Sequence, residues 1–176
     1  MPQPEMMERR LRVCLATDSL RPSGVGTHML LLAEEFSEVL DVVIAADPAS
    51  GLLEAAAQRG LAIRAITDPA DFAAWLQTAG IDILHIHAGI GWEGHDLARI
   101  GREAGVATLL RTEHLPYVIT DAEQAKAHAE GLTLVDRLIA VSEAAADSFR
   151  IAGLADTRLA TIPNGVAPRP VVRGSR

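Results

Sequence analysis

Short, nearly continuous apolar runs alternate along this chain with longer stretches in which apolar positions recur at helical spacing. Residues 11–17 (LRVCLAT) read as a buried strand. Over 27–40 the apolar Met29, Leu32, Ala33, Phe36 and Leu40 fall on one stripe of a helix. A second strand is predicted at 41–46, an Ala-rich helix at 51–59 stopped by Gly60, and a third strand at 61–66. Asp68 then caps a helix, Pro69 takes its first position and Gly80 ends it.

The alternation continues in the second half. Strands are predicted at 81–86, 106–111, 137–141 and 158–162, and helices at 92–104 (ended by Gly105), 120–134 and 142–152, the last capped by Ser142. Apolar runs of this kind mark strands covered on both faces. Strands alternating with helices give right-handed crossovers. The predicted fold is therefore a Rossmann-like α/β domain, doubly wound on a mainly parallel sheet of about seven strands. It spans 1–166. Residues 167–176 (APRPVVRGSR) have no periodicity and read as a linker or frayed tail, so that the chain looks interrupted after its last strand.

Composition changes this picture only at its edges. The 176 residues suffice for one packed domain without a staple. Aromatics make up only 3%, so the core must be aliphatic. A lone cysteine, Cys14, lies in a buried strand and reads as core; it fits a reducing cytosol. The net charge of −7 argues against a dedicated nucleic-acid binder. Segment 5–12 lacks the apolar run of a signal peptide, and no stretch is long and apolar enough to span a bilayer. The expected location is cytoplasmic, with peripheral contact at the inner membrane face left open.

In open α/β sheets, ligands gather beyond the carboxyl ends of the strands where strand order reverses. The segments after strands one, four and five are therefore the places to look. After strand one, Gly24 and Gly26 precede a predicted helix whose free N–H groups attract anions; a tight turn is the plainer reading. Met29 stands where a dinucleotide fingerprint has its third glycine. Asp47 after strand two could mimic its ribose-binding acid, which keeps an NAD-dependent enzyme as an alternative.

After strand four, His85 and His87 share a face. His85 reads as structural and His87 as part of the site; a two-histidine zinc site lacks an evident third ligand. Gly89 and Gly91 allow close approach to a ligand. After strand five, His114 either hydrogen-bonds or exchanges protons with a ligand, or sits in an ordinary surface loop. Glu113 either orients it or is solvated. His28 is open to either reading, and His95 and His128 read as solvated helix residues. Ser142 has a complete explanation as a helix cap.

In order, these pieces are SGVGTH opening a helix, DILHIHAG at the fourth strand, RTEH after the fifth, DRLIAVSEAAADSF, and IPNGV. The set resembles the N-terminal domain of the retaining GT-B glycosyltransferases of glycosyltransferase family 4, over roughly 11–166. The resemblance implies two Rossmann-like domains facing a cleft. The first mainly binds the acceptor, and the second mainly binds the nucleotide-sugar donor. By motif position, Gly24 and Gly26 match the loop near donor phosphates and acceptor, His114 the histidine near the reacting sugar, and His87 a histidine lining the cleft. With Gly89 and Glu113 these are the expected catalytic (His114) and substrate contacts.

The resemblance implies no cofactor and no catalytic metal, because helix dipoles and basic side chains stabilise the leaving diphosphate. The expected partners are a nucleotide-sugar donor, held mainly by a C-terminal domain this chain lacks, and a sugar, lipid or small-molecule acceptor. Self-association or pairing with a C-terminal domain is a further expectation. Alone, the chain is expected to transfer no sugar. The alternatives are an interaction module, a subunit of a split glycosyltransferase, or a sugar-nucleotide epimerase.

Overall fold

A computed structural model describes residues 9–89, 91–154 and 157–165. The expected tail at 167–176, Val166, Ile90 and residues 5–8 of the charged segment lie outside the described residues. Seven strands form one sheet: β1 (Arg12–Ala16), β2 (Asp41–Ala46), β3 (Ala62–Ala65), β4 (Ile83–Ala88), β5 (Thr108–Glu113), β6 (Arg137–Ala140) and β7 (Leu159–Thr161). All pairings are parallel, in the order β3-β2-β1-β4-β5-β6-β7. The order reverses between β1 and β4, as expected.

The helices are α1 (Ser23–Phe36), α2 (Leu52–Gln58), α3 (Pro69–Thr78), α4 (His95–Glu103), α5 (Ala122–Leu132) and α6 (Glu143–Ile151), with a 3-10 turn at Pro48–Ser50. Two cores lie on opposite faces of the sheet. Met29, Leu30 and Ala33 of α1 and Leu52, Leu53 and Ala56 of α2 pack on Val13, Leu15, Val42 and Ile44. Phe72 and Leu76 of α3, Leu97 and Ile100 of α4, Leu132 of α5 and Phe149 of α6 pack with Cys14, Leu84, Ile86 and Leu109 on the other face. Each fully buried Leu, Ile or Phe contributes about 1.5–3 kcal/mol of transfer free energy. Cys14 is fully buried, and burial pushes its thiol far above the ordinary range.

Predicted caps hold. Asp68 accepts from Asp71 N–H at 2.9 Å, and Ser142 from Ala145 N–H at 3.1 Å. Several boundaries differ, and four of them have a plain physical reason. Strands β4 and β5 run two residues past the predicted ends, because pairing continues through His87 and Thr112 and through Ala88 and Glu113, where apolar periodicity has stopped. Helix α1 starts at Ser23, not 27; glycine's poor helix propensity hides the first turn. Helix α4 starts at His95, behind Gly94 at φ 79°.

Candidate functional site

The loop after β1 and the loop before α4 meet across the switch point. Asp18 accepts from the backbone N–H of Gly94 with both carboxylate oxygens, at 3.0 and 2.8 Å. Desolvation raises the Asp18 pKa above the ordinary carboxylate range; the Gly94 N–H opposes that, and nearby Glu93 adds to it. Between these loops and the end of β5 lies a cavity of about 810 Å³, lined by Asp18 to Val25, Gly89, Trp92, Glu93, His114, Leu115 and Asn164.

Helix α1 opens on this cavity. Its N-cap is Pro22, which makes no side-chain cap, and Ser23, Gly24 and Val25 all line the wall. The positive end of the helix dipole lies at this wall, with the Ser23 N–H already donated to the Arg21 carbonyl at 2.8 Å. A Cβ at Gly24 would meet nothing within 4 Å, so the space beside it is open.

The structure separates the two expected glycines. Neither has a positive φ, so the tight-turn reading fails; both are helical. Gly26 faces away from the main cavity, where a Cβ would lie 3.3 Å from Leu52 Cδ1. It lines a smaller cavity of about 380 Å³ between α1 and the start of α2. Asp47 is likewise elsewhere, capping the 3-10 turn by accepting from Ala49 N–H at 2.7 Å.

Beneath the cavity, the alternation through β4 and the end of β5 brings three histidines to one face, and α1 adds a fourth. His114 lines the cavity, and its Nε2 lies 3.1 Å from Nδ1 of His87. His87, expected on the cleft wall, is fully buried behind His114 because β4 continues beyond it. His85 lies next to it and pairs with Thr112 Oγ1 at 2.8 Å, the structural role expected. His28, reached from α1, sets its ring against His87 and His114, with centroids 5.7 and 5.0 Å apart.

These rings are held neutral. Burial, then the neighbouring imidazoles, pushes His85 down to about 3. Burial and His28 push His114 down to about 4, against the pull of Glu113. His87 lies well below the ordinary histidine range, again chiefly by burial, and burial also lowers His28. At neutral pH, His114 therefore offers the cavity an uncharged imidazole, able to accept or donate one hydrogen bond.

Glu113 takes a different place from the one expected. It is the next residue along β5, so it points to the opposite face, where its carboxylate is buried between Arg111 Nε at 2.7 Å and His128 Nε2 at 3.1 Å. It neither orients His114 by contact nor meets solvent. His128, expected to be solvated, is fully buried, and His95 is half-buried with Nε2 2.8 Å from the Gly91 carbonyl. Gly89 lines the cavity, but its N–H is taken by Glu93 Oε2 at 2.7 Å. Gly91 serves packing: a Cβ there would lie 2.5 Å from Ile119 Cδ1.

Sequence reasoning passed over Asp18, Trp92 and Asn164 as cavity residues. Asp18 carries a signal, being the acid immediately beyond β1. Trp92 lies in the segment after β4 where the site was expected, and Asn164 in the IPNGV segment after β7, but neither residue type by itself signals a ligand.

The Glycosyltransferase Family 4 profile matches residues 22–169. Among solved structures, Alr3699/HepE of Anabaena in complex with UDP superposes with a TM-score of 0.69 at 15% identity, over 89% of this chain and 44% of that one. A glycosyltransferase from Rickettsia africae superposes at 0.74 and 13% identity, over 90% and 44%. The UDP-GlcNAc 2-epimerase of Methanocaldococcus jannaschii superposes at 0.55 and 11% identity, over 89% and 46%. At these identities the likeness is one of fold, and the chain spans less than half the length of each structure. No curated protein matches the sequence.

Proposed function

The chain belongs to Glycosyltransferase Family 4, and from that premise we propose that it is the acceptor-side domain of a retaining glycosyltransferase that moves a sugar from a nucleotide diphosphate to an acceptor hydroxyl. The observation that carries this reading is the meeting of the uncapped start of α1 and the neutral imidazole of His114 in one cavity. The helix start suits a diphosphate or another anionic group. His114 suits a sugar or acceptor hydroxyl, which it can bind without ionising.

Gly24 keeps the wall low enough for close approach. His87 supports His114 from behind and sets which of its nitrogens carries the proton. The UDP and UDP-glucose complexes of the Anabaena protein support a uridine-type donor. Most of the donor's contacts belong to a second α/β domain, so this chain alone gives negligible turnover. The epimerase of like fold keeps nucleotide-sugar epimerisation as a second reading; product analysis separates the two. No helix among the described residues is long and apolar enough to cross a membrane; work at the inner membrane face with a lipid acceptor is compatible with that.

The test is transfer from UDP-glucose and related donors by a protein carrying both domains. His114→Ala is expected to lower kcat/KM by roughly a hundredfold or more, and Gly24→Val to raise KM by filling the open wall. Unchanged transfer in both variants, or robust turnover by this chain alone, overturns the assignment.

A further inference from the structure

The histidines beneath the cavity carry a reading that stands apart from sugar transfer. One ring nitrogen from each of His28, His87 and His114 lies within 4.8 Å of the other two. They come from three elements, α1, β4 and the end of β5, so only the folded chain assembles them. His87 Nδ1 and His114 Nε2 are 3.1 Å apart. In a tetrahedral zinc site with bonds of about 2.0–2.1 Å, neighbouring ligand nitrogens are about 3.3–3.4 Å apart. One edge is therefore close to its bound length, and the half-buried His28 has only to close in.

Hydrogen bonding leaves this cluster incomplete. Among the described residues the three rings share one nitrogen–nitrogen hydrogen bond, and His28 meets the other two by ring contact. A proton can join one pair of imidazoles, whereas a cation can take a lone pair from each of three. The ligand set is all nitrogen, which suits zinc, nickel or copper and not the oxygen-seeking magnesium or calcium.

We infer that His28, His87 and His114 form a three-imidazole site for a zinc-class divalent cation, with its fourth position open to the cavity. Three histidines and one exchangeable position is the pattern of zinc sites that keep a place for water or a ligand oxygen. A cation bound there takes the Nε2 lone pair of His114 in place of the bond to His87. The other ring nitrogen, Nδ1, then carries the proton, so His114 can only donate to a hydroxyl in the cavity.

The test uses this chain and the metal alone, with no nucleotide sugar, so its outcome is read separately from the transfer assay. Zinc chloride is titrated by calorimetry, and cobalt(II) chloride by visible absorption, which distinguishes four-coordinate from six-coordinate cobalt. One equivalent is expected to bind, with a four-coordinate cobalt spectrum. His28→Ala and His114→Ala should each weaken binding at least roughly tenfold, the lower end of what disturbing even the supporting hydrogen bonds of a metal site costs. His95→Gln should bind as the parent does. Thermal melts check folding, and His28→Asn replaces His28→Ala if that variant unfolds. Absence of stoichiometric binding, six-coordinate cobalt, or unchanged affinity in both variants overturns the site.

Discussion

Strand β5 sends its side chains to two clusters of opposite character. On the cavity face, Thr112 and His114 join His85, His87 and His28 in a group of neutral rings. On the other face, Arg111 and Glu113 form a buried ion pair, with His128 on the same carboxylate oxygen and His95 at 3.5 Å from Arg111 Nη1. Both clusters contain histidine, and both are largely buried. The difference is countercharge. Burial by itself would raise the Glu113 carboxyl; Arg111 and His128 outweigh it and hold it below the ordinary range. The cavity cluster contains no carboxylate, so burial has only neutral rings to favour. The ionic face is built to hold its shape, and the neutral face keeps lone pairs for something else.

The largest expected effect breaks the ionic face. Glu113→Ala strands a fully buried guanidinium and should cost about 3–5 kcal/mol in denaturant unfolding. A loss below about 1 kcal/mol would show that the two faces do not differ in this way.

Acidification probes both faces in sequence. Unfolded histidines take up protons near pH 6.5, whereas His85 and His87 resist them in the folded state, and His114 does so less because it is partly solvated. Below that pH the unfolded chain binds more protons, so stability is full above about pH 6.5 and falls beneath it. The slope is up to about 1.4 kcal/mol per pH unit for each histidine. Glu113, whose folded pKa is lowered, adds its own loss only further down, below the unfolded carboxyl value of about 4.3. Melts from pH 8 to 4 should decline first near 6.5; a flat profile down to pH 5 contradicts the neutral cluster.

The smallest effect is on the neutral face itself. Thr112→Val removes the hydroxyl partner of His85 Nε2 and should cost about 1 kcal/mol, well under the Glu113 variant. Equal losses in the two variants, measured in the same denaturant series, would erase the contrast.

Much of this was legible beforehand. Among the described residues, apolar runs located the seven strands, while the six helices came from apolar spacing in α1 and from Ala-rich composition, caps and glycine stops in others; the strand-order rule placed the cavity at the ends of β1, β4 and β5. His85 as structural, Cys14 as core, and the caps Asp68 and Ser142 followed from local pattern. What escaped depended on contacts between distant segments. The side of the sheet that Glu113 faces depends on where β5 ends, and apolar periodicity ends that strand two residues early. His128 looked solvated because its partner lies fifteen residues away on a strand. The split between Gly24 and Gly26 needed the position of Leu52.

The bond from Asp18 to Gly94 reaches beyond its local geometry. It rivets the loop after β1 to the start of α4, so both banks of the cavity shift together and its width is set from within. Molecules of different girth must then be accommodated by the outer rim, where Leu20 and Leu115 stand exposed. Changing what this cavity admits is a matter of re-cutting that rim; re-cutting the floor would loosen the rivet.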